Sequence, residues 1–137
     1  MKAQYERFFI FSACLDNLSV NENKRRTMEA ARTLEESSLD YACVTGVYKG
    51  QQEASFFVRH KEGAEELIST LCGLYGQECY LYRDNENDGF LVYPNGTRES
   101  IGKAKEVSRQ EAQGLDGFTI LPQLDGTKLY FTFVKEQ

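Results

Sequence analysis

Two short runs of strand-forming residues, joined by a glycine turn, constrain the fold of this chain more than any other feature. Residues 41–48 and 53–59 are rich in β-branched and aromatic side chains, which is the composition of strands. Gly50 lies between them, where a glycine favours the positive φ angles of a tight hairpin. The sequence therefore predicts an antiparallel pair of strands across this turn.

Helical patterns flank the predicted hairpin on both sides. Before it, the capping box Ser19-Val-Asn-Glu22 opens a helix predicted over residues 20–36. After it, apolar residues recur with helical spacing over residues 62–75. Gly76 suits the left-handed residue that ends such a helix.

Two outer strands complete the predicted core. The apolar run at residues 8–15 and a strand predicted over residues 77–82 give the element order β-α-β-β-α-β, which is the order of a ferredoxin-like sheet with both helices on one face. We therefore predict an α+β fold with a ferredoxin-like core over residues 1–83. Residues 84–137, punctuated by Asp-Gly and Asn-Gly turns, are predicted to form an antiparallel β-rich extension of hairpins. The chain of 137 residues is predicted to be a single domain.

The charge balance weakens one class of function. The net charge is −5 and the sequence pI is about 5.0, whereas nucleic-acid binding draws most of its affinity from Lys and Arg on phosphates. One basic run, residues 24–26, is offset by Glu22 and Glu29 on the same predicted helix. Aromatic residues after the second helix suit base stacking, but no basic segment accompanies them. A nucleic-acid partner is therefore not expected.

Cysteine usage indicates a reducing compartment. Cys14, Cys43, Cys72 and Cys79 show no C-x-x-C spacing and lie in apolar or strand-like segments, as buried free thiols do. The apolar run before Cys14 is too short for a secretion signal, and no segment has the length of a membrane span. We expect a cytoplasmic protein without membrane association.

No motif of a common catalytic or metal site is present in the sequence. His60, the single histidine, stands between two basic residues and is expected at the surface rather than beside a nucleophile. Residues 84–89 resemble the start of a calcium loop, but Asn95 stands where a bidentate Glu is required. We therefore expect a solvated hairpin turn there, and we expect neither a metal nor a cofactor.

A polar pair opens the second strand of the predicted hairpin. Glu53 and Ser55 are two residues apart, so they share one face of the strand. An apolar run begins directly after them. Such a pair either caps a sheet or faces a cleft, and both interpretations stay open at this point.

Four short segments, in order along the chain, suggest which residues accompany this pair. They are Phe11-Ser-Ala-Cys-Leu-Asp-Asn17, Asn21-Glu-Asn23, Glu53-Ala-Ser-Phe-Phe-Val58 and Tyr75-Gly-Gln-Glu78. Together they resemble an uncharacterised family of small bacterial and phage proteins. The resemblance implies that a set of polar residues acts together in binding a ligand or partner: Asn17, Asn23, Glu53, Ser55 and Gln77, to which we add Arg26 from the first helix. The alternative is that these side chains satisfy backbone groups at the ends of elements.

Two functions from different classes follow. The first hypothesis is a small acidic, non-enzymatic binding protein, an inhibitor of the kind that phages direct at a host or defence protein. The alternative is a small-molecule or nucleotide-binding domain with weak hydrolase activity. In that alternative, Glu53 contacts the ligand or serves as a general base.

Overall fold

The structure is a computed structural model that describes residues 7–135. Its elements are, in chain order, β1 (Phe8–Phe11), α1 (Val20–Glu36), β2 (Tyr41–Tyr48), β3 (Gln51–Arg59), α2 (Ala64–Leu74), β4 (Tyr80–Arg83), β5 (Asp88–Val92), β6 (Arg98–Val107), α3 (Arg109–Ala112), β7 (Gly117–Pro122) and β8 (Lys128–Val134).

The eight strands are antiparallel and close into a barrel, in the order β1-β3-β2-β7-β8-β6-β5-β4, with β4 pairing back to β1. The predicted ferredoxin-like core with a separate β-rich extension is therefore wrong. An open sheet ending at β2 and β4 would leave two rows of unpaired backbone groups. Instead, β7 pairs with β2 and β5 pairs with β4, so that strands from residues 84–137 complete the same sheet.

Strand β6 closes the barrel, and the sequence patterns did not predict it. It pairs with β5 on one side and with β8 on the other. Its sequence is dominated by charged and small residues, which are depleted from strands. Gly102 lies within it at φ +95°, and its pairing with β5 shifts register between Gly89 and Phe90. A β-bulge therefore bends the strand at the point of closure.

The two long helices lie outside the barrel, and α1 begins as its capping box predicts. The Ser19 hydroxyl accepts a hydrogen bond from the Glu22 amide at 3.1 Å. After α2, Gly76 adopts a positive φ of 68°, as expected for a helix-ending glycine. No helix in residues 7–135 combines the length and the apolar character that a membrane span requires.

Alternation along the strands creates two apolar cores. Inside the barrel lie Phe8, Val44, Phe57, Leu121 and Phe131. Between the outer face of the barrel and the two long helices lie Phe9, Phe11, Ala30, Leu34, Phe56, Val58, Ile68 and Leu71. Neighbouring strand residues such as Phe56 and Phe57 therefore enter different cores, because successive side chains point to opposite faces.

Candidate functional site

The β2–β3 turn lies at one end of the barrel, which we call the mouth. Lys49 and Gly50 form this two-residue turn at φ 51° and 79°, the positive values of a type I′ hairpin. Phe57 lies in the core inside the barrel, and Ser55 and Glu53 share its face of β3 because residues two apart do so. The polar pair therefore faces the inside of the barrel near its mouth.

Glycines leave the inside of the barrel open at the mouth. Gly46 on β2 and Gly117 on β7 line a cleft of about 850 Å³ that also includes Glu53. A Cβ at Gly117 would come within 3.3 Å of the Tyr48 ring, so the ring packs directly on the glycine. We call this space the lumen cleft. Its apolar walls are Leu81, Leu91, Ile101, Leu115, Phe118, Phe131 and Phe133.

A second cleft, of about 640 Å³, lies on the other side of Glu53. We call it the loop cleft, because residues of the loop between β1 and α1 form one wall of it. Ser12 and Cys14 of that loop line it, and so do Ser55 and Gln77. The two clefts share five lining residues: Asp16, Tyr48, Glu53, Leu81 and Leu91. Glu53 therefore stands at the junction of two adjoining spaces.

The surroundings of Glu53 disfavour its charged form. Burial raises the pKa of this carboxyl, the nearby Ser12 side chain opposes that shift, and the charge of Asp16 adds to it. None of the ion pairs within residues 7–135 involves Glu53. A half-buried carboxyl without a cationic partner is suited to receive a cation from a ligand.

The loop of residues 12–18 is fixed by side chains from two other parts of the chain. Asn23 of α1 accepts from the Leu15 amide and donates to the Leu15 carbonyl, both at 2.9 Å. Gln77, which follows α2, donates to the Cys14 carbonyl at 2.8 Å. The loop is thereby held against the opening of the loop cleft.

Arg26 holds the same loop from the next turn of α1. Its guanidinium donates to the Ala13 carbonyl at 2.7 Å and to the Tyr75 carbonyl. The guanidinium carbon also lies 5.0 Å from the centre of the Tyr75 ring, within the range of a cation–π contact. Together with Asn23 and Gln77, Arg26 satisfies three consecutive carbonyls of the loop.

The structure thus brings together five of the six predicted site residues, in two different roles. Glu53 and Ser55 face the clefts, whereas Asn23, Arg26 and Gln77 bind backbone groups of the loop, as the alternative interpretation expects. Asn17 is exposed on the loop and lines neither cleft.

Three residues at the mouth were not predicted from the sequence. Ser12 donates to the Ala54 carbonyl at 2.9 Å and so ties the loop to β3 beside Glu53. Asp16 and Tyr48 line both clefts. The available signal was the position of Tyr48 next to the hairpin turn, which places it at the end of a strand. Only barrel closure shows that this end is an opening.

Within the described residues, no three His, Cys, Asp or Glu side chains are arranged to hold a metal ion. The segment that resembles a calcium loop is the turn between β4 and β5, in which the Asp84 carboxylate accepts from the amides of Glu86 and Asp88, each at 2.9 Å.

Comparison with known families gives the context for this site. The sequence profile of the S-Adenosylmethionine lyase family matches residues 9–130, which include most of β1, both strands of the mouth hairpin and the first three residues of β8. The chain belongs to the S-Adenosylmethionine lyase family. Membership of a defined family agrees with the resemblance noted in the sequence, although the match does not test the individual motifs of that resemblance. No curated protein matches the chain.

Membership of the S-Adenosylmethionine lyase family corrects the functional hypotheses. The prediction of a non-enzymatic inhibitor that acts by protein–protein contact is wrong, because the family is named for an enzyme activity. The alternative, a binding domain with weak hydrolase activity, is not supported either, since a lyase breaks a bond without adding water.

Proposed function

We propose that this protein is an S-adenosylmethionine lyase whose active site is the junction of the lumen cleft and the loop cleft. The observation that carries the proposal is the position of Glu53, a half-buried carboxyl without an ion-pair partner among the described residues, between two clefts at the barrel mouth. The family match, which includes this part of the chain, supplies the substrate and the class of reaction.

The charge of the site suits the substrate. S-adenosylmethionine carries a cationic sulfonium and a cationic ammonium beside a single carboxylate, so its net charge is positive. Glu53 and Asp16 place two carboxyl groups on the lining that the clefts share. An opposite charge that enters the junction favours the ionised form of Glu53 and offsets the effect of its burial.

The apolar part of the same lining suits the reaction. Breaking a C–S bond of the sulfonium releases a neutral thioether, so positive charge at sulfur disappears as the bond breaks. Leu81 and Leu91 border the junction, and a medium of low polarity favours a step that disperses charge. The leaving group departs readily, and the site therefore has no need of a nucleophilic Ser or Cys.

We assign Glu53 two roles in the reaction. It holds a cationic centre of the substrate at the junction and thereby orients the bond that breaks. If the bond breaks by elimination, a base must also remove a proton from the substrate. Glu53 meets that need, because its raised pKa brings it closer to neutral pH. If a group within the substrate displaces the thioether, orientation alone is required.

We also propose that the protein works in the cytoplasm. All four cysteines, at positions 14, 43, 72 and 79, are free thiols. Free thiols persist in a reducing compartment.

The test is to incubate the purified protein with S-adenosylmethionine in water enriched in heavy oxygen and to identify both products by mass spectrometry. A lyase consumes the substrate faster than a protein-free control. The fragment split from sulfur is then one water lighter than the corresponding alcohol and contains no heavy oxygen from a direct attack of water. Consumption at the control rate by the folded protein, or an alcohol that carries heavy oxygen in its new hydroxyl group, would overturn the proposal.

A further inference from the structure

Tyr48 is an exposed aromatic residue at the mouth, and it has no role in the proposed chemistry. The residue is 63% exposed, although it ends the strand whose residues Val44 and Gly46 face the inside of the barrel. Residues two apart on a strand share a face, so Tyr48 also points toward the opening. It lines both clefts.

One side of the Tyr48 ring is supported by the barrel. Gly117 on the neighbouring strand β7 pairs with Tyr48, and the ring lies so close to Gly117 that a Cβ there would displace it by a few tenths of an ångström. The Lys49 ammonium lies 5.3 Å from the centre of the ring. An aromatic ring supported in this way and exposed at a cleft is a surface on which a flat ligand stacks.

The two clefts differ in lining. The lumen cleft is largely apolar, with Phe118, Phe131 and Phe133 among its walls. The loop cleft has a larger share of polar lining: it contains Ser12, Ser55 and Glu78 besides the shared carboxyl groups. A substrate that has a flat heterocycle at one end and an amino acid at the other matches such a pair of clefts.

We infer that S-adenosylmethionine lies across the junction, with its adenine stacked on Tyr48 at the lumen cleft and its amino-acid end in the loop cleft. The inference rests on the proposed function and adds to it the direction in which the substrate binds. It makes Tyr48 the residue that selects for the nucleoside part, and it makes Asp16 a contact of the ammonium.

The test uses the two halves of the substrate as separate probes. 5′-Methylthioadenosine represents the nucleoside end and L-methionine represents the amino-acid end, and the binding of each is measured by calorimetry. In Tyr48→Ala, binding of 5′-methylthioadenosine should weaken about tenfold, because base–aromatic stacking is lost, while methionine binding stays within twofold. Tyr48→Phe should bind both probes as the wild type does, since it keeps the ring. Asp16→Asn should weaken methionine binding only.

Tyr93→Ala is the matched control, because Tyr93 lines neither of the two clefts. Its hydroxyl donates a hydrogen bond to the Glu99 carboxylate instead. Equal weakening of both probes in Tyr48→Ala, a loss for methionine alone, or no binding of either probe to the wild type would overturn the inference. These binding measurements need no turnover. Absence of S-adenosylmethionine cleavage with normal probe binding would therefore refute the proposed function and leave the binding direction standing.

Discussion

Both ends of the barrel form clefts, but the pKa of an acidic group is shifted in opposite directions at the two ends. At the mouth, burial raises the pKa of Glu53. At the opposite end, which we call the far end, a cleft of about 720 Å³ is lined by Asp40, Arg59 and Asp125. There, hydrogen bonds from the side chain and backbone of Thr127 lower the pKa of the exposed Asp125.

The difference shows why a cleft alone does not indicate a site. At the far end, Asp125 is stabilised in its charged form by a local turn. At the mouth, the fold keeps Glu53 in surroundings that disfavour its charge. Native structures tolerate such a cost most often where function requires it. The mouth is therefore the end at which we expect chemistry.

Closure of the barrel positions the residues at both ends. A variant that disrupts closure should therefore show the largest loss of stability. In Gly102→Ala, the new Cβ would collide with the backbone of Val134, and the residue would also be held at φ +95°. We expect a loss of unfolding free energy of about 3 kcal/mol or more, measured by urea denaturation. Gly126→Ala is the control: its φ is +88° but no atom lies within 4 Å of the added Cβ, so it should lose only about 1 kcal/mol. Equal losses would show that Gly102 does not require close packing.

A variant that loosens the loop of residues 12–18 at the mouth should show the next largest loss of stability. Asn23→Ala leaves the amide and the carbonyl of Leu15 without their side-chain partner, which costs about 1–3 kcal/mol. Activity should fall as well, because the loop carries Ser12 and Asp16. Thr127→Ala, in the exposed far-end turn, should change the stability by less than about 0.5 kcal/mol and leave the activity unchanged. An Asn23→Ala protein as stable and active as the Thr127→Ala protein would contradict this role of the loop.

The smallest predicted effect is a pH dependence of opposite sign at the two ends. Because the folded pKa of Glu53 is raised, its ionised form costs stability above that pKa, and the cost vanishes below the ordinary value of 4.5. Glu53→Gln should therefore be slightly more stable than the wild type at pH 7, with the gain disappearing as the pH falls below 4.5.

At the far end the sign reverses. The lowered pKa of Asp125 means that its ionised form adds stability above the ordinary value of 3.8, and this stability is lost as the pH falls through the lowered pKa. Asp125→Asn should therefore be slightly less stable than the wild type at pH 7 and equal to it in strong acid. Thermal unfolding of both variants between pH 2 and pH 7 measures these differences. The same sign for both variants would refute the contrast between the two ends.

The local elements could be predicted from the sequence, whereas the closure of the sheet into a barrel could not. Helix α1 and strand β2 have the predicted bounds, because capping residues and alternating apolar residues are local signals. Strand β6 was missed because its lysines, glutamates and glycine lack strand propensity. Pairing on both sides, with β5 and β8, overrides that propensity. Because β6 was not predicted, nothing in the sequence indicated that β8 is joined to β5 through a shared neighbour. Residues 84–137 were therefore interpreted as an extension of the core.

The site was predictable only in part for the same reason. Alternation placed Glu53 and Ser55 on one face, and that local inference agrees with the structure. The sequence could not show that this face lines the inside of a closed barrel, nor that Asn23 and Gln77 meet on the loop from positions 54 residues apart. Those facts depend on pairing between distant strands.

We propose that S-adenosylmethionine is cleaved at the mouth and that Glu53 takes part in the reaction. The most direct test compares kcat/KM for that substrate in Glu53→Gln and in Asp125→Asn. We predict a loss of about 100-fold or more in Glu53→Gln and a change within twofold in Asp125→Asn. The loss cannot reflect unfolding, because Glu53→Gln is expected to be the more stable protein at neutral pH. A Glu53→Gln protein that retains the wild-type rate, or an equal loss in Asp125→Asn, would contradict the claim.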